Sequence, residues 1–255
     1  MAIALKNPDE IEINHVSRRF QVNGTALPAL ENVSLTVRKG EFVSLIGPSG
    51  CGKSTLLRML AGLDHPDQGE LRVGGYLIHT PSLTRGIVFQ DHRLLPWLTV
   101  EQNILLSLKN RPGQAAEQHQ QVARLIELVG LKGFERAWPH QLSGGMSQRA
   151  AIARCLAPQP SVLLLDEPFG ALDSLTRRHL QQALLQIWQQ QQLTTVLVTH
   201  DIEEAVYLSD RIVVLKPRPG RLHSQFEIIE PRPRQLTASR LVEVKAQIQR
   251  ALDGE

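Results

Sequence analysis

The sequence predicts an α/β fold with a mostly parallel core sheet, an antiparallel β-subdomain and an inserted helical subdomain. In the second half of the chain, short apolar runs alternate with stretches of helical period, which is typical of parallel strands joined by crossover helices. Near the start, strands of alternating apolar and polar residues are separated by Asn-Gly and Gly-Gly turn signals. Between these regions lies a long, polar, Gln-rich stretch with the period of a helix.

Two antiparallel pairs are predicted in the first part of the chain. Ile11–Val16 and Val33–Val37 flank the turn signal Asn23-Gly24, and Glu70–Ile78 forms a hairpin around Gly74-Gly75. Further strands are predicted at Phe42–Ile46, Ile87–Phe89, Val162–Leu165, Thr195–Val198 and Ile212–Leu215. Helices are predicted at Ser54–Ala61, Ser147–Ala157, Leu172–Gln190, Ile202–Leu208 and Ala238–Leu252.

The same pattern sets the expected domain limits. Residues 11–235 form one domain, with a core of 11–93 and 159–216 and a helical subdomain of 94–158. One apolar helix face in this subdomain contains Val122, Leu125, Ile126 and Val129. Residues 217–255 are a basic, proline-rich segment and a terminal helix. The basic cluster of Lys216, Arg218, Arg221, Arg232 and Arg234 is expected to be a solvated surface, with a partner-binding face as the alternative.

Composition excludes several classes of protein. Of the 255 residues, 42% are hydrophobic and 21% charged, which excludes a disordered chain, a collagen-like fibre or a disulfide scaffold. No apolar run approaches the ~20 residues of a membrane-spanning helix, and no signal peptide is visible, so we expect a cytosolic protein. The net charge of +3 does not indicate nucleic-acid binding by itself. Cys51 and Cys155 fit a reducing compartment and have no metal-binding spacing.

A phosphate-binding motif follows the strand Phe42–Ile46. The run GPSGCGKS matches G-x-x-x-x-G-K-[ST] between a strand and a helix, the context that this motif requires. Backbone N–H groups of the glycine-rich loop converge on a β-phosphate, Lys53 reaches the β- and γ-phosphates, and Ser54 ligates Mg²⁺. A glycine-rich turn with an exposed lysine is the alternative. The predicted nucleotide-binding residues here are Gly47, Pro48, Ser49, Gly50, Cys51, Gly52, Lys53, Ser54 and Thr55.

Two carboxylates follow the apolar strand Val162–Leu165. A buried parallel strand delivers such residues to the carboxyl edge of its sheet. Asp166 is predicted to hold Mg²⁺ through water, and Glu167 to polarise the water that attacks the γ-phosphate. Taken alone, an Asp-Glu pair after a strand is more often a polar turn, but the phosphate-binding motif favours the catalytic interpretation.

From about Ile11 to Leu215 the chain resembles the nucleotide-binding subunit of an ABC transporter. Leu142-Ser143-Gly144-Gly145-Met146 is similar to the LSGGQ signature of that family, in which this loop caps the γ-phosphate held by the opposite subunit. The resemblance therefore implies that Ser143, Gly144 and Gly145 bind nucleotide. Met146 departs from the usual glutamine, and we expect this change to modify affinity or rate without abolishing the role.

Single residues elsewhere in the chain match further motif positions of the family. Gln90 resembles the Q-loop glutamine near Mg²⁺ and the attacking water, and Asp173 in Gly170–Asp173 resembles the D-loop aspartate at the dimer seam. His200 resembles the switch histidine that contacts the γ-phosphate, and Phe20 the aromatic residue that stacks on adenine, with a core position as the alternative for Phe20. The resemblance implies a P-loop NTPase fold with a RecA-like core, in which Glu167, His200, Lys53 and Gln90 are catalytic. Ser54, Gln90 and Asp166 would bind the metal.

The family resemblance also implies partners. One chain has one phosphate loop and one signature, so an ATP-driven homodimer is expected, closed by ATP and reopened by hydrolysis. Because no spanning segment is visible, we expect a separate membrane permease in two copies, contacted from the cytoplasmic face of the membrane. An extracytoplasmic solute-binding protein is expected as an indirect partner, and nucleic acid is not.

Three segments resemble the nitrate, sulfonate and taurine importer branch of the family. They are Asp91–Ile104, His200–Arg221 and Glu230–Arg234. In the family the first of these faces the permease, so Leu95 and Trp97 are expected to be exposed. Sulfonates and taurine rank first as solutes, with nitrate and a thiamine-precursor pyrimidine as alternatives. The rival classes are an ABC-type ATPase acting on nucleic acid or the ribosome, and a scaffold that binds ATP only to dimerise.

A last expectation concerns the thiol within the phosphate loop. Cys51 is expected to react with thiol reagents unless ATP is bound.

Overall fold

The computed structural model describes residues 11–109, 114–170 and 172–254, which divide into two compact units. The first contains residues 11–82 and 192–254, and the second contains residues 83–191. The strands are β1 (Ile11–Val22), β2 (Thr25–Val37), β3 (Phe42–Ile46), β4 (Gln68–Val73), β5 (Tyr76–Leu77), β6 (Arg85–Val88), β7 (Val162–Asp166), β8 (Thr194–Val198), β9 (Arg211–Lys216) and β10 (Arg221–Glu227). The helices are α1 (Lys53–Ala61), α2 (Val100–Leu106), α3 (Ala115–Leu128), α4 (Gly144–Leu156), α5 (Ser174–Gln191), α6 (Ile202–Leu208) and α7 (Ser239–Asp253). The division of the chain at 94–158 and 217–255 stays a prediction.

An antiparallel sheet of order β2-β1-β4-β5 forms one layer of the first unit. Asn23 and Gly24, with φ of 51° and 78°, make the tight turn between β1 and β2, because this backbone region suits Asn and Gly. The two strands are longer than predicted and their pairing begins at Ile11 opposite Val37. The hairpin of β4 and β5 turns at Gly74-Gly75, as predicted.

The first unit also contains strands in the order β10-β9-β3-β8. β3 pairs in parallel with both β8 and β9, and every residue of β3 and β8 is buried. Continuous apolar runs are typical of parallel strands that are covered on both faces, so the predicted mostly parallel core is confirmed. The sequence does not predict β10, because its alternation of exposed and half-buried residues lies in a segment dominated by Arg and Pro.

The second unit contains the parallel pair β6 and β7, with Val88 opposite Leu165, and the helices α2 to α5. α3 buries Val122 and Ile126, as its predicted apolar face requires. Asn103 in α2 is fully buried. Its amide donates to the carbonyl oxygens of Leu95, Leu98 and Thr99 and accepts from the Leu95 N–H, which fixes the turn before α2.

The basic cluster after β9 is only partly the solvated surface that the sequence predicts. Lys216, Arg218 and Arg221 are exposed, as a solvated surface requires, but Arg234 is only 7% exposed and Arg232 is half-buried. Arg234 donates to three backbone carbonyls at the end of α6 and to two in the segment after β10, and Arg232 pairs with Asp210 at 2.6 Å. These two arginines stabilise the interior of the first unit, because the carbonyls at a helix C-terminus attract cations.

The terminal helix α7 packs on the same core through Leu241, Ile248 and Ala251. Within the described ranges, no helix combines the length and apolar character that crossing a membrane demands.

Candidate functional site: a nucleotide-binding ATPase site

The phosphate-binding loop connects β3 to α1 in the first unit. Gly52 has a φ of 87°, and a Cβ there would lie 2.5 Å from Leu30 Cδ2 and 2.7 Å from the Ala29 carbonyl oxygen. Only glycine therefore fits at the start of α1. A Cβ on Gly50, which has a φ of 79°, would meet no atom within 4 Å other than those of its chain neighbours, so the space beside the loop at this point is open. The loop thus has the form of a cradle that can accept an anion.

Positive charge is concentrated within the same loop. Lys53 is 7% exposed, and its Nζ donates to the carbonyl oxygens of Gly47 at 2.7 Å and Pro48 at 3.1 Å. No side chain caps the N-terminus of α1, so its first N–H groups and the helix dipole are directed at the loop. A buried ammonium beside a helix N-terminus provides the electrostatics that phosphate groups require.

The side chain of Cys51 is not accessible, although the residue lies within the phosphate-binding motif. Its side chain is fully buried, and its Sγ lies against Gly47, where an added Cβ would come within 2.8 Å. The expectation that thiol reagents reach Cys51 unless ATP is bound is therefore wrong. The protein itself shields the thiol, and only the backbone of this residue remains as a predicted nucleotide contact.

Two further predicted residues lie in the first unit. His200 is exposed and follows β8, the parallel neighbour of β3, so it lies at the same carboxyl edge as the phosphate loop. Asp201 caps α6 by accepting from the Glu203 and Glu204 N–H groups, which fixes the backbone beside His200. Phe20 on β1 is half-buried, with its ring 5.0 Å from the Arg18 guanidinium carbon.

Gln90 and Glu167 are in contact in the second unit. Gln90 follows β6 and Glu167 follows β7, so two neighbouring parallel strands deliver them to one edge, together with the buried Asp166. Gln90 Nε2 donates to Glu167 Oε2 at 3.3 Å. Glu167 has a φ of 45°, a conformation that is strained for a residue with a side chain. Strain of this kind, about 1–3 kcal/mol, concentrates at functional sites.

The signature segment forms a helix N-terminus. Ser143 is the N-cap of α4, and its Oγ accepts from the Met146 N–H at 3.2 Å. The hydroxyl proton of Ser143 remains able to donate to an anion. Because Met146 contributes its backbone N–H to this cap, a methionine serves as well as a glutamine for the local structure.

Helix α4 also holds the backbone around Gln90. Gln148 Nε2 donates to the Phe89 carbonyl at 3.1 Å, and Arg154 donates to the carbonyls of Arg93 and His92. The sequence assigned no role to Arg154. No local pattern could have identified it, since its partners lie 61 and 62 positions earlier in the chain.

Asp173 caps α5 by accepting from the Thr176 N–H at 3.0 Å. This bond is the main cause that lowers the pKa of the Asp173 carboxyl below its ordinary value. Ala171, in the same predicted D-loop, lies outside the described residues. Because its pKa is lowered, Asp173 is ionised near neutrality. The position of Asp173 beside a dimer seam stays a prediction.

The predicted site residues are divided between the two units. The first unit contains the phosphate loop, Phe20 and His200, and the second contains Gln90, Asp166, Glu167, Ser143 and Asp173. Within each unit the carboxyl ends of neighbouring parallel strands bring together residues that lie far apart in the sequence. The two arrangements supply a phosphate cradle and a strained carboxylate with an amide partner.

Comparison with known proteins identifies the family. The family model of the ABC transporter matches residues 30–170, more than half of the chain. The chain is 49% identical over 238 residues to "Aliphatic sulfonates import ATP-binding protein SsuB" of Bacillus cereus, covering 93% of this chain and 94% of the relative. It is 42% identical over 219 residues to "Taurine import ATP-binding protein TauB" of a Jannaschia species, covering 86% and 82%.

A solved cassette has the same fold. The dimeric structure of MJ0796, a bacterial ABC transporter cassette, aligns with a TM-score of 0.81 and 34% identity over 87% of this chain and all of that chain. Its post-hydrolysis dimer, bound to ADP and Pi, aligns with a TM-score of 0.79. The predicted α/β fold is thereby confirmed as that of an ABC ATPase. The chain belongs to the ABC transporter family of ATP-binding proteins and is an ATPase of that family.

Proposed function

We propose that this chain hydrolyses ATP to energise uptake of a small anionic solute, an aliphatic sulfonate or taurine, through a separate membrane permease. The observation that carries the proposal is its 49% identity, along 93% of the chain, to a protein named for aliphatic sulfonate import. The relative named for taurine import supports the same class of solute. The specificity for one solute lies in the permease and in an extracytoplasmic binding protein.

Each predicted residue has a role on the nucleotide. The N–H groups of the phosphate loop bind the β-phosphate, and Lys53 neutralises charge on the β- and γ-phosphates. Glu167 polarises the attacking water, and Gln90 orients the Glu167 carboxylate through their hydrogen bond. His200 contacts the γ-phosphate, and Phe20 stacks on adenine.

The residues proposed for Mg²⁺ fit that ion by their chemistry. Ser54, Gln90 and Asp166 offer hydroxyl, amide and carboxylate oxygens, which are the ligands that a hard cation prefers. When bound, Mg²⁺ neutralises charge on the phosphate oxygens. Asp166 is buried at the end of β7, where a carboxylate needs a cation or hydrogen-bond donors.

A pair of chains forms the working unit in this proposal. Ser143, Gly144 and Gly145 of one copy cap the γ-phosphate held by the other, since the N-terminus of α4 presents N–H groups and a free hydroxyl proton. ATP therefore closes the pair. Loss of the γ-phosphate removes the anion that holds both copies, and the pair reopens.

An exposed apolar turn is proposed as the permease contact. Trp97 is 66% exposed, and Asn103 donates to the carbonyls of Leu95 and Leu98 on either side of it. Leu95 is half-buried, so the expectation that it is exposed is wrong. An exposed tryptophan on a hydrogen-bonded turn is typical of an anchor residue in a protein interface. We accordingly place the chain at the cytoplasmic face of the membrane, attached peripherally through its permease.

Growth of the host on a single sulfur source tests the solute. Deleting this chain is expected to stop growth on an alkanesulfonate or on taurine, and to leave growth on sulfate unchanged. Wild-type protein should restore growth and Glu167→Gln should not. If deletion abolished growth on nitrate as the nitrogen source and spared growth on both sulfonates, the proposed solute class would be wrong.

Replacing Trp97 with alanine tests the permease contact. Loss of an aromatic anchor at an interface costs about 2 kcal/mol or more, so the affinity for the permease should fall about 30-fold. The measurement is a titration of detergent-solubilised permease, with ATP binding by the isolated chain unchanged. Tyr76→Ala is the matched control, because Tyr76 is an 82% exposed aromatic residue on β5. Equal affinities for wild type and the Trp97 variant would remove Trp97 from the interface.

A further inference from the structure

One face of the Phe20 ring is already occupied within the protein. The guanidinium carbon of Arg18 lies over the ring, 5.0 Å from its centroid, and both residues belong to β1. A guanidinium over an aromatic face is attracted by the negative charge of that face. Any base that stacks on Phe20 must therefore use the opposite face.

Two carboxylates hold the Arg18 guanidinium in place. Arg18 donates to Asp64 at 2.8 Å and to Asp67 at 2.7 Å, and only 23% of its side chain is exposed. The second oxygen of Asp67 accepts from the Arg19 N–H at 2.6 Å. This backbone bond is the first cause, and Arg18 a further one, that lowers the pKa of the Asp67 carboxyl. Asp67 is consequently a carboxylate near neutrality and joins the guanidinium to the strand that carries Phe20.

The same strand pairing continues to the phosphate loop. Arg18 lies opposite Leu30 in the β1–β2 register, and Phe20 lies opposite Leu27. Leu30 packs directly on Gly52, where a Cβ would come within 2.5 Å of Leu30 Cδ2. β2 therefore pairs with the part of β1 that carries Phe20 and also packs against the proposed phosphate-binding loop.

We propose that Arg18, fixed by Asp64 and Asp67, is a positioning residue that presents the Phe20 ring to the adenine of ATP. The inference rests on the proposed function, in which Phe20 stacks on adenine. Arg18 restricts the ring to one orientation. Its charge also draws π density from the ring, so that a base on the far face meets less repulsion.

Steady-state kinetics of Arg18→Met test the proposal. The KM for ATP should rise about three- to tenfold, while kcat stays within about twofold of wild type. The inhibition constant of inorganic tripolyphosphate, which carries the phosphates and no base, should not change. Arg18→Lys retains the charge without the paired geometry and should recover part of the affinity.

A double-mutant cycle with Phe20→Ala shows whether Arg18 changes the KM for ATP through the Phe20 ring or independently of it. If Arg18 acts through Phe20, Arg18→Met adds nothing in the Phe20→Ala background. The same rise in KM in both backgrounds would overturn the proposal, as would a loss of tripolyphosphate affinity. If Phe20→Ala left the KM for ATP unchanged, Phe20 would not stack on adenine and that part of the proposed function would be wrong. This outcome differs from one in which Phe20 contributes to ATP affinity and Arg18 does not.

Arg72→Met is the matched control. Arg72 pairs with Glu70 on β4 in the same antiparallel sheet, at 2.9 Å, and also donates to the Gly75 carbonyl. Its loss should leave the KM for ATP unchanged. Melting temperatures of the variants verify folding, and the Asp67 bond to the Arg19 N–H keeps β1 anchored when Arg18 is replaced. A rise in KM for Arg72→Met equal to that for Arg18→Met would count against a specific role for Arg18.

Discussion

Replacing Glu167 with glutamine is expected to lower the ATP turnover of the chain by about 10²–10⁴-fold. Glutamine retains the size of the side chain and its contact with Gln90, but it cannot accept a proton from the attacking water. The phosphate loop is untouched, so the affinity for ATP should remain within about threefold of wild type. Release of phosphate under saturating ATP measures the first quantity, and equilibrium binding of ATP measures the second.

The control for this prediction is Glu135→Gln in the same unit. Glu135 accepts from the Gly133 N–H at 2.9 Å and carries no predicted catalytic role. Its replacement should leave turnover unchanged. Equal turnover by wild type and Glu167→Gln would remove Glu167 from the chemistry and would favour a scaffold that binds ATP only to dimerise.

Replacing Arg234 with methionine is expected to cause a large loss of stability. Arg234 donates to the carbonyls of Val206, Tyr207, Ser209, Ile228 and Glu230. Burial lowers its pKa to about 10, which still leaves the guanidinium charged near neutrality. Methionine fills much of the space but removes the donors that Arg234 supplies to these carbonyls.

A buried acceptor without a partner costs about 1–3 kcal/mol, and we expect a total of about 3 kcal/mol for this site. The melting temperature should then fall by roughly 6–12 °C. Arg221→Met is the comparison, because Arg221 forms an exposed ion pair with Glu31 that should contribute less than about 1 kcal/mol. A fall no larger than that of Arg221→Met would mean that the C-terminal segment is not fastened through Arg234.

Much of the fold was predictable because its signals are local. The apolar runs of β3, β7 and β8, the turn at Asn23-Gly24 and the period of α3 each depend on neighbours within a few residues. β10 was not predictable in this way. Its half-buried alternation becomes a strand only because β9 provides a partner edge.

In the site, too, only features that depend on neighbouring residues could be predicted from the sequence. The phosphate loop and the signature are contiguous motifs, so their residues could be named from the sequence. The contact of Gln90 with Glu167 spans 77 positions, and the bonds from Arg234 to the end of α6 span 25 to 28. Cys51 lies within a motif, yet its side chain points into the protein, because a motif specifies spacing and not burial.

Light scattering of Glu167→Gln with nucleotide tests whether this chain is an ATPase that works as a pair closed by ATP. With ATP the variant should have twice the mass of a single chain, because the γ-phosphate holds both copies and is not hydrolysed. With ADP it should have the mass of one chain. The same mass with ATP and with ADP would contradict the account.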